Sequence, residues 1–190
     1  PRIAVEFAVR HISGVSDPLD APYPAYVLCE VSTARHDPHL RGLLEDALGA
    51  AMNRGDVLEA TLAESIAQRE ALWRLRESVP EAQRHEGASI KHDVSVPVAA
   101  LPAFLHKASA AVAQVAPSAR LVAYGHVGDG NLHFNLSEPA GGGDRAAFLA
   151  LQDDLGHAVH ACVREFRGSI SAEHGIGQLK RELLARHKNP

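Results

Sequence analysis

Cysteine is scarce in this 190-residue chain: Cys29 and Cys162 are the only two, and both sit inside apolar-periodic segments. They read as buried thiols of a cytosolic-type protein rather than as a disulfide. No apolar run reaches membrane-spanning length, and no signal peptide precedes the first element, so the expected location is cytoplasmic. A basic stripe is also missing. Lys and Arg number 19 against 23 Asp and Glu, a net charge of −4, which argues against nucleic acid as the main partner. There is no Gly-x-Ser-x-Gly elbow, so a hydrolase triad is not indicated. No Gly-Lys-Ser/Thr follows the glycines of 125–130, and a strand rather than a helix follows them, so neither nucleotide-binding loop matches. Low-complexity segments and internal repeats are absent.

What remains is globular: 46% of residues are hydrophobic and 22% charged, enough for one or two small domains with a core. Histidine is the outlier, with 12 residues. Those at 11, 36, 39, 85 and 187 lie in polar segments or turns. His106, His157 and His160 fall on expected helices. The chain starts at Pro1, runs at once into an apolar piece at 3–10, and stops at Pro190 without a closing element. It is expected to be part of something longer.

Taken in order, a loop at 14–24 leads to an expected strand at 25–32. Asp37-Pro38 is a helix cap with proline at the first helical position, and Leu40, Leu43, Leu44, Ala47, Leu48 and Ala51 form one stripe after it. A second strand is expected at 57–63. A polar helix from Glu64 to about Gln83 is expected to kink or end at Pro80. In the strand 89–96, Ile90, His92, Val94 and Val96 share one face and Ser89, Lys91, Asp93 and Ser95 the other. A helix at 98–115 turns Leu101, Leu105, Ala108, Val112 and Val115 inward. A hairpin at 121–136 is followed by a helix capped near Asp144 that carries Phe148, Leu155, Val159, Cys162 and Phe166. A strand at 169–173 and a last helix from about Gln178 close the order. This pattern predicts an α+β fold, an antiparallel sheet backed by helices in two similar halves.

Two stretches carry chemistry. In Tyr124-Gly-His-Val-Gly-Asp-Gly-Asn-Leu-His-Phe-Asn-Leu136, Asp129-Gly130 is a hairpin turn signal that puts His126 and His133 on facing strands. Asn131, His133 and Asn135 then share a polar face, with Leu132, Phe134 and Leu136 on the core face. In Ser169-Ile-Ser-Ala-Glu-His-Gly-Ile-Gly177, a short strand presents Glu173 and His174 to a glycine-rich turn. His126, His133 and Glu173 suit a divalent metal, zinc before manganese or iron, with a position open for substrate. The plainer alternative is a polar hairpin face with a hydrogen-bonded glutamate. His174 is a candidate general base, or else a capping histidine. Arg76 and Lys91 are candidate carboxylate clamps, or else snorkelling surface cations.

Together, Gly-His-Val-Gly-Asp-Gly-Asn-Leu-His at 125–133 and Ser-Ala-Glu-His-Gly-Ile-Gly at 171–177 resemble the C-terminal domain of FAD-linked oxidases in the vanillyl-alcohol oxidase superfamily. D-lactate dehydrogenases, the glycolate oxidase flavin subunit and D-2-hydroxyglutarate dehydrogenase are of this type. The loop at 14–24, Trp73 to Glu77, and Lys91-His-Asp-Val-Ser-Val-Pro97 fit the same pattern. The resemblance implies that residues 1–190 are such a domain, of duplicated ferredoxin-like units, without the N-terminal domain that holds most of the FAD and without the C-terminal tail. It implies zinc on His126, His133 and Glu173, His174 as base, Arg76 and Lys91 on the substrate carboxylate, and Asn135 as a further substrate contact. The implied partners are a small 2-hydroxy acid, a flavin-binding domain, and an electron acceptor such as an electron-transfer flavoprotein, cytochrome or quinone. The implied location is cytoplasmic or peripheral to the inner membrane. Pro80 stands where hydroxyglutarate-type members often carry Ser or Thr, which puts a second substrate carboxylate in question. A metallohydrolase with the same ligands and a non-catalytic binding domain are the other two classes open to these residues, and the chain alone is expected to be inactive.

Overall fold

One strand, β4 (Asn131–Ser137), organises the described sheet. It pairs antiparallel with β3 (Arg120–His126) along one edge and with β1 (Ser89–Ile90) and β2 (Asp93–Ser95) along the other. The computed structural model describes residues 1–34, 37 and 39–172. It divides into two units, residues 1–82 and 83–190.

In the second unit, β1 and β2 keep one register against β4, pairing Ile90 with Leu136 and Asp93 with His133. The single strand expected at 89–96 is thus two short strands, interrupted at Lys91 and His92. Ser169 extends the sheet by a bridge to Ser95, with both backbone bonds made, at 2.8 and 2.9 Å. Gly168 permits this approach, since a Cβ there would stand 2.1 Å from the Ser95 carbonyl oxygen. Helices α4 (Leu101–Val115), α5 (Arg145–Ala150) and α6 (Gln152–Glu165) supply the rest of the core. Leu132, Phe134 and Leu136 from β4 meet Leu101, Phe104, Ala108 and Val112 from α4 and Leu155, Val159 and Val163 from α6. The expected stripe on α4 holds, but it omitted Phe104, which is fully buried. Residues 98–115 are in fact apolar and long enough to cross a membrane by length and composition alone; 22% of them are buried, on the face of Leu101, Phe104, Ala108 and Val112. The helix expected after Asp144 is two helices broken at Leu151, and Asp144 caps the first by accepting from the Ala147 amide at 3.0 Å.

Two histidines are buried. His92 lies on the core face as its alternation required, and its Nδ1 donates to the Phe134 carbonyl at 2.9 Å. His160 on α6 packs edge-on to it, with ring centroids 6.0 Å apart.

The first unit has helices and no strand among its described residues: α1 (Arg2–His11), α2 (Leu40–Asn53) and most of α3 (Ile66–His85). The α+β class holds; among the described residues there is one sheet, in the second unit, and no second sheet that would make two similar halves. The strands expected at 25–32 and 57–63 do not form. Their apolar residues find no cover here: Val27 is 78% and Leu58 66% exposed, and no ladder partner exists in the described part of this unit. Cys29, expected to be buried, is exposed for the same reason, whereas Cys162 is buried as expected and its thiol pKa is pushed up by that burial. Helix α2 begins at Leu40, after Asp37 has accepted from the His39 amide at 2.9 Å, and none of its apolar stripe is fully buried. Pro80 neither ends nor breaks α3, which continues to His85. Proline cannot donate to the carbonyl four residues back, and one lost bond in a 20-residue helix with Leu75, Val79 and Ala82 buried is tolerated.

The β3–β4 turn is longer than the two-residue turn expected at Asp129-Gly130. Val127–Asp129 make one 3-10 turn, Gly130 closes it at φ 74° with its amide on the Val127 carbonyl, and Asp129 accepts from the Asn131 amide at 3.0 Å. A Cβ on Gly130 would meet the Val96 carbonyl oxygen at 2.0 Å. Gly130→Ala is therefore strained in both φ and space, and it should destabilise the second unit by roughly 1–3 kcal/mol in urea unfolding. An unchanged midpoint would show that the turn is not fixed as described.

Candidate functional site

Residues paired across antiparallel strands share a face. The β4 register therefore assembles a polar surface in rows. Ser95, Asn131 and His126 form one row, and Asp93, His133 and Tyr124 the next. Asn135 pairs with Val122, and Ser137 with both Ser89 and Arg120. Lys91 lies two residues before Asp93, exposed, between the two edge strands. The structure thus brings His126, His133, Asn135 and Lys91 to one sheet. The two histidines are on facing strands as expected, but they are not opposite one another: His126 pairs with Asn131. Such diagonal positions are about 7–8 Å apart, within reach of two imidazoles.

The His133 ring is set between neighbours on both sides. The Tyr124 ring lies against it at 5.1 Å between centroids, and the Asp93 Oδ1 stands 3.8 Å from its Nδ1. His126 is exposed at the end of β3. Gly125, just before it, brings β3 close to β4, since a Cβ there would lie 2.1 Å from the Asn131 carbonyl oxygen.

Asn135 is buried, and Gln83 on the last turn of α3 explains how. Asn135 Nδ2 donates to Gln83 Oε1 and Gln83 Nε2 donates to Ser137 Oγ, both at 3.0 Å, with Gln83 fully buried. Gln83 carries no sequence signal of this role, because it falls at the end of a long polar helix. A buried polar group needs its partners. Gln83→Leu should cost roughly 1–3 kcal/mol by stranding Asn135 and Ser137. Stability equal to that of the parent chain would refute the linkage.

Arg76 belongs to the first unit, half-buried on α3. In the same unit Trp73 and Arg69 line an open groove and bond to one oxygen of Glu30, the Arg69 Nε at 3.2 Å. These two bonds, the indole first, hold the Glu30 carboxyl below its ordinary range. Glu173 and His174 lie outside the described residues. Among those described, no group of three or more His, Cys, Asp or Glu is placed to hold a metal ion. The chain does reach the polar rows at its last described residue, where the Ala172 amide donates to the Asp93 carbonyl at 3.3 Å.

The sequence as a whole matches a known family. The model of the FAD linked oxidases, C-terminal domain, covers residues 3–190. This chain belongs to that family. D-2-hydroxyglutarate dehydrogenase of Xanthomonas citri pv. viticola is 36% identical over 181 residues, covering 95% of this chain and 37% of that protein. The protein of the same name from Stutzerimonas stutzeri is 34% identical over 179 residues, covering 93% and 37%. The mitochondrial D-2-hydroxyglutarate dehydrogenase of Arabidopsis thaliana is 32% identical over 187 residues, covering 98% and 32%. This FAD-linked oxidase domain thus spans about a third of the length of the curated relatives it matches.

Proposed function

We propose that this domain binds the substrate and a divalent metal of an FAD-dependent D-2-hydroxy acid dehydrogenase. The observation that carries the proposal is the placement of His126 and His133 on adjacent strands, on the sheet face whose edge the chain reaches at Ala172. Glu173, which follows Ala172 in the sequence, is the third donor that the family resemblance implies. Two imidazoles and a carboxylate suit zinc and leave a position for substrate.

Held by His126, His133 and Glu173, zinc would supply Lewis acidity toward the substrate hydroxyl, and a bound flavin would supply the hydride acceptor. The chain's own part is binding and proton transfer. Lys91 is a cation for the substrate carboxylate, and the family resemblance makes Arg76 a candidate for the same role. Asn135, held by Gln83, gives a fixed polar contact. His174 takes the hydroxyl proton. The names of the relatives support a 2-hydroxy acid as substrate; lactate, glycolate and 2-hydroxyglutarate are the members to compare, since Pro80 offers no hydroxyl to a second carboxylate. The electron acceptor is of the flavoprotein, cytochrome or quinone class.

The test is flavin reduction by a panel of D-2-hydroxy acids in the full-length protein. One or more should reduce the flavin. His133→Ala should abolish both reduction and stoichiometric zinc, whereas His174→Ala should keep zinc and slow reduction by roughly 100-fold or more, the worth of a positioned base. Arg76→Ala and Lys91→Ala should chiefly raise KM, by an amount equivalent to roughly 1.5–3 kcal/mol for a lost charged hydrogen bond. No reduction by any acid, or reduction unaffected by His133→Ala, would sink the reading.

A further inference from the structure

Asp93 sits in the middle of the polar face. It is on β2, directly paired with His133, and its side chain is 10% exposed. Aspartate is disfavoured in strands, and a carboxylate taken so far out of water is kept only where charge or polarity meets it. What faces it from β4 is the Nδ1 side of the His133 ring, at 3.8 Å. On the other strand, Tyr124 closes the opposite side of that ring at 5.1 Å. The imidazole is therefore confined by two neighbours of different kinds, one flat and one anionic.

A neutral imidazole carries one N–H, and its neighbours decide which nitrogen holds it. Were the hydrogen on Nε2, the Nδ1 lone pair would face the Asp93 carboxylate, lone pair against anion. With the hydrogen on Nδ1, an N–H dipole faces that carboxylate instead. The separation is longer than a hydrogen bond, so the selection is electrostatic. We infer that Asp93 is a positioning residue: it holds His133 in the Nδ1–H tautomer, turned so that Nε2 keeps its lone pair for a metal ion. Carboxylates that orient histidine ligands in this way raise the basicity of the donor nitrogen and fix its direction. The part of the inference that concerns metal rests on the function proposed above; the tautomer does not.

The two parts are read separately on the 190-residue chain. In the metal-free chain at neutral pH, long-range proton–nitrogen NMR correlations of the ring, assigned with His133→Gln, report which nitrogen is protonated. The expected result for the parent chain is Nδ1–H on His133. In Asp93→Asn, which keeps the shape and removes the charge, the ring should shift towards Nε2–H. Zinc affinity by chelator competition should fall by roughly 10- to 100-fold. Thermal unfolding of Asp93→Asn checks that the sheet persists, and the parent spectrum decides the tautomer even if that variant does not fold. Nε2–H in the parent chain, or a variant with both tautomer and zinc affinity unchanged, overturns the inference. A parent chain with the expected tautomer that takes up no zinc supports the role of Asp93 and removes the metal from the proposed function.

Discussion

The two-sided ladder along β4 is the constraint on which the site depends. Every position in the polar rows follows from pairing Asp93 and Tyr124 with His133, and Ser95 and His126 with Asn131. Side chains alternate strictly along a strand, so a slip by one residue would carry His133, Asn131 and Asn135 into the core and turn Leu132, Phe134 and Leu136 out. Each of those three is at most 4% exposed. Exposing a buried side chain of that size costs about 1.5–3 kcal/mol, before the cost of setting three polar groups against the apolar core and breaking the Asn135–Gln83 bond. The register is therefore held from the core side, and the chemistry of the other face follows from it. Gly125, Gly130 and Gly168 serve the same end by letting backbones approach within distances that a Cβ would forbid.

How far this was legible in the sequence follows from the same physics. The alternation through β4 and through 89–96 was readable because a period of two with a clean apolar face has few other solutions. The α4 stripe and the Asp144 cap were readable for a similar reason, a local pattern with a local cause. The first unit was not. Val27, Cys29 and Val31 alternate as a strand would, but alternation predicts a strand only where a partner edge exists, and the described residues of that unit supply none. Leu43, on the stripe of α2, is likewise 62% exposed. The turn at 127–130 was placed but mistyped, because Asp129 uses its side chain to accept from Asn131 rather than adopting positive φ itself.

The site was half legible. That His126, His133, Asn135 and Lys91 lie on one sheet was readable because polar residues in a strand pattern stand out. Gln83, Asp93 and Tyr124 were not assigned roles there, because what they do depends on which residue lies opposite, and pairing cannot be read from one strand. Glu173 and His174 fall beyond the described residues, so the roles proposed for them rest on the family resemblance.

The central claim is that His126 and His133 share one metal ion on this sheet face. Anomalous diffraction from crystals of the chain grown with zinc tests it directly. The account predicts a peak at the zinc edge within bonding distance, about 2.0–2.1 Å, of one ring nitrogen from each histidine. A fully occupied zinc elsewhere, or no peak between the two rings at saturating zinc, would contradict it.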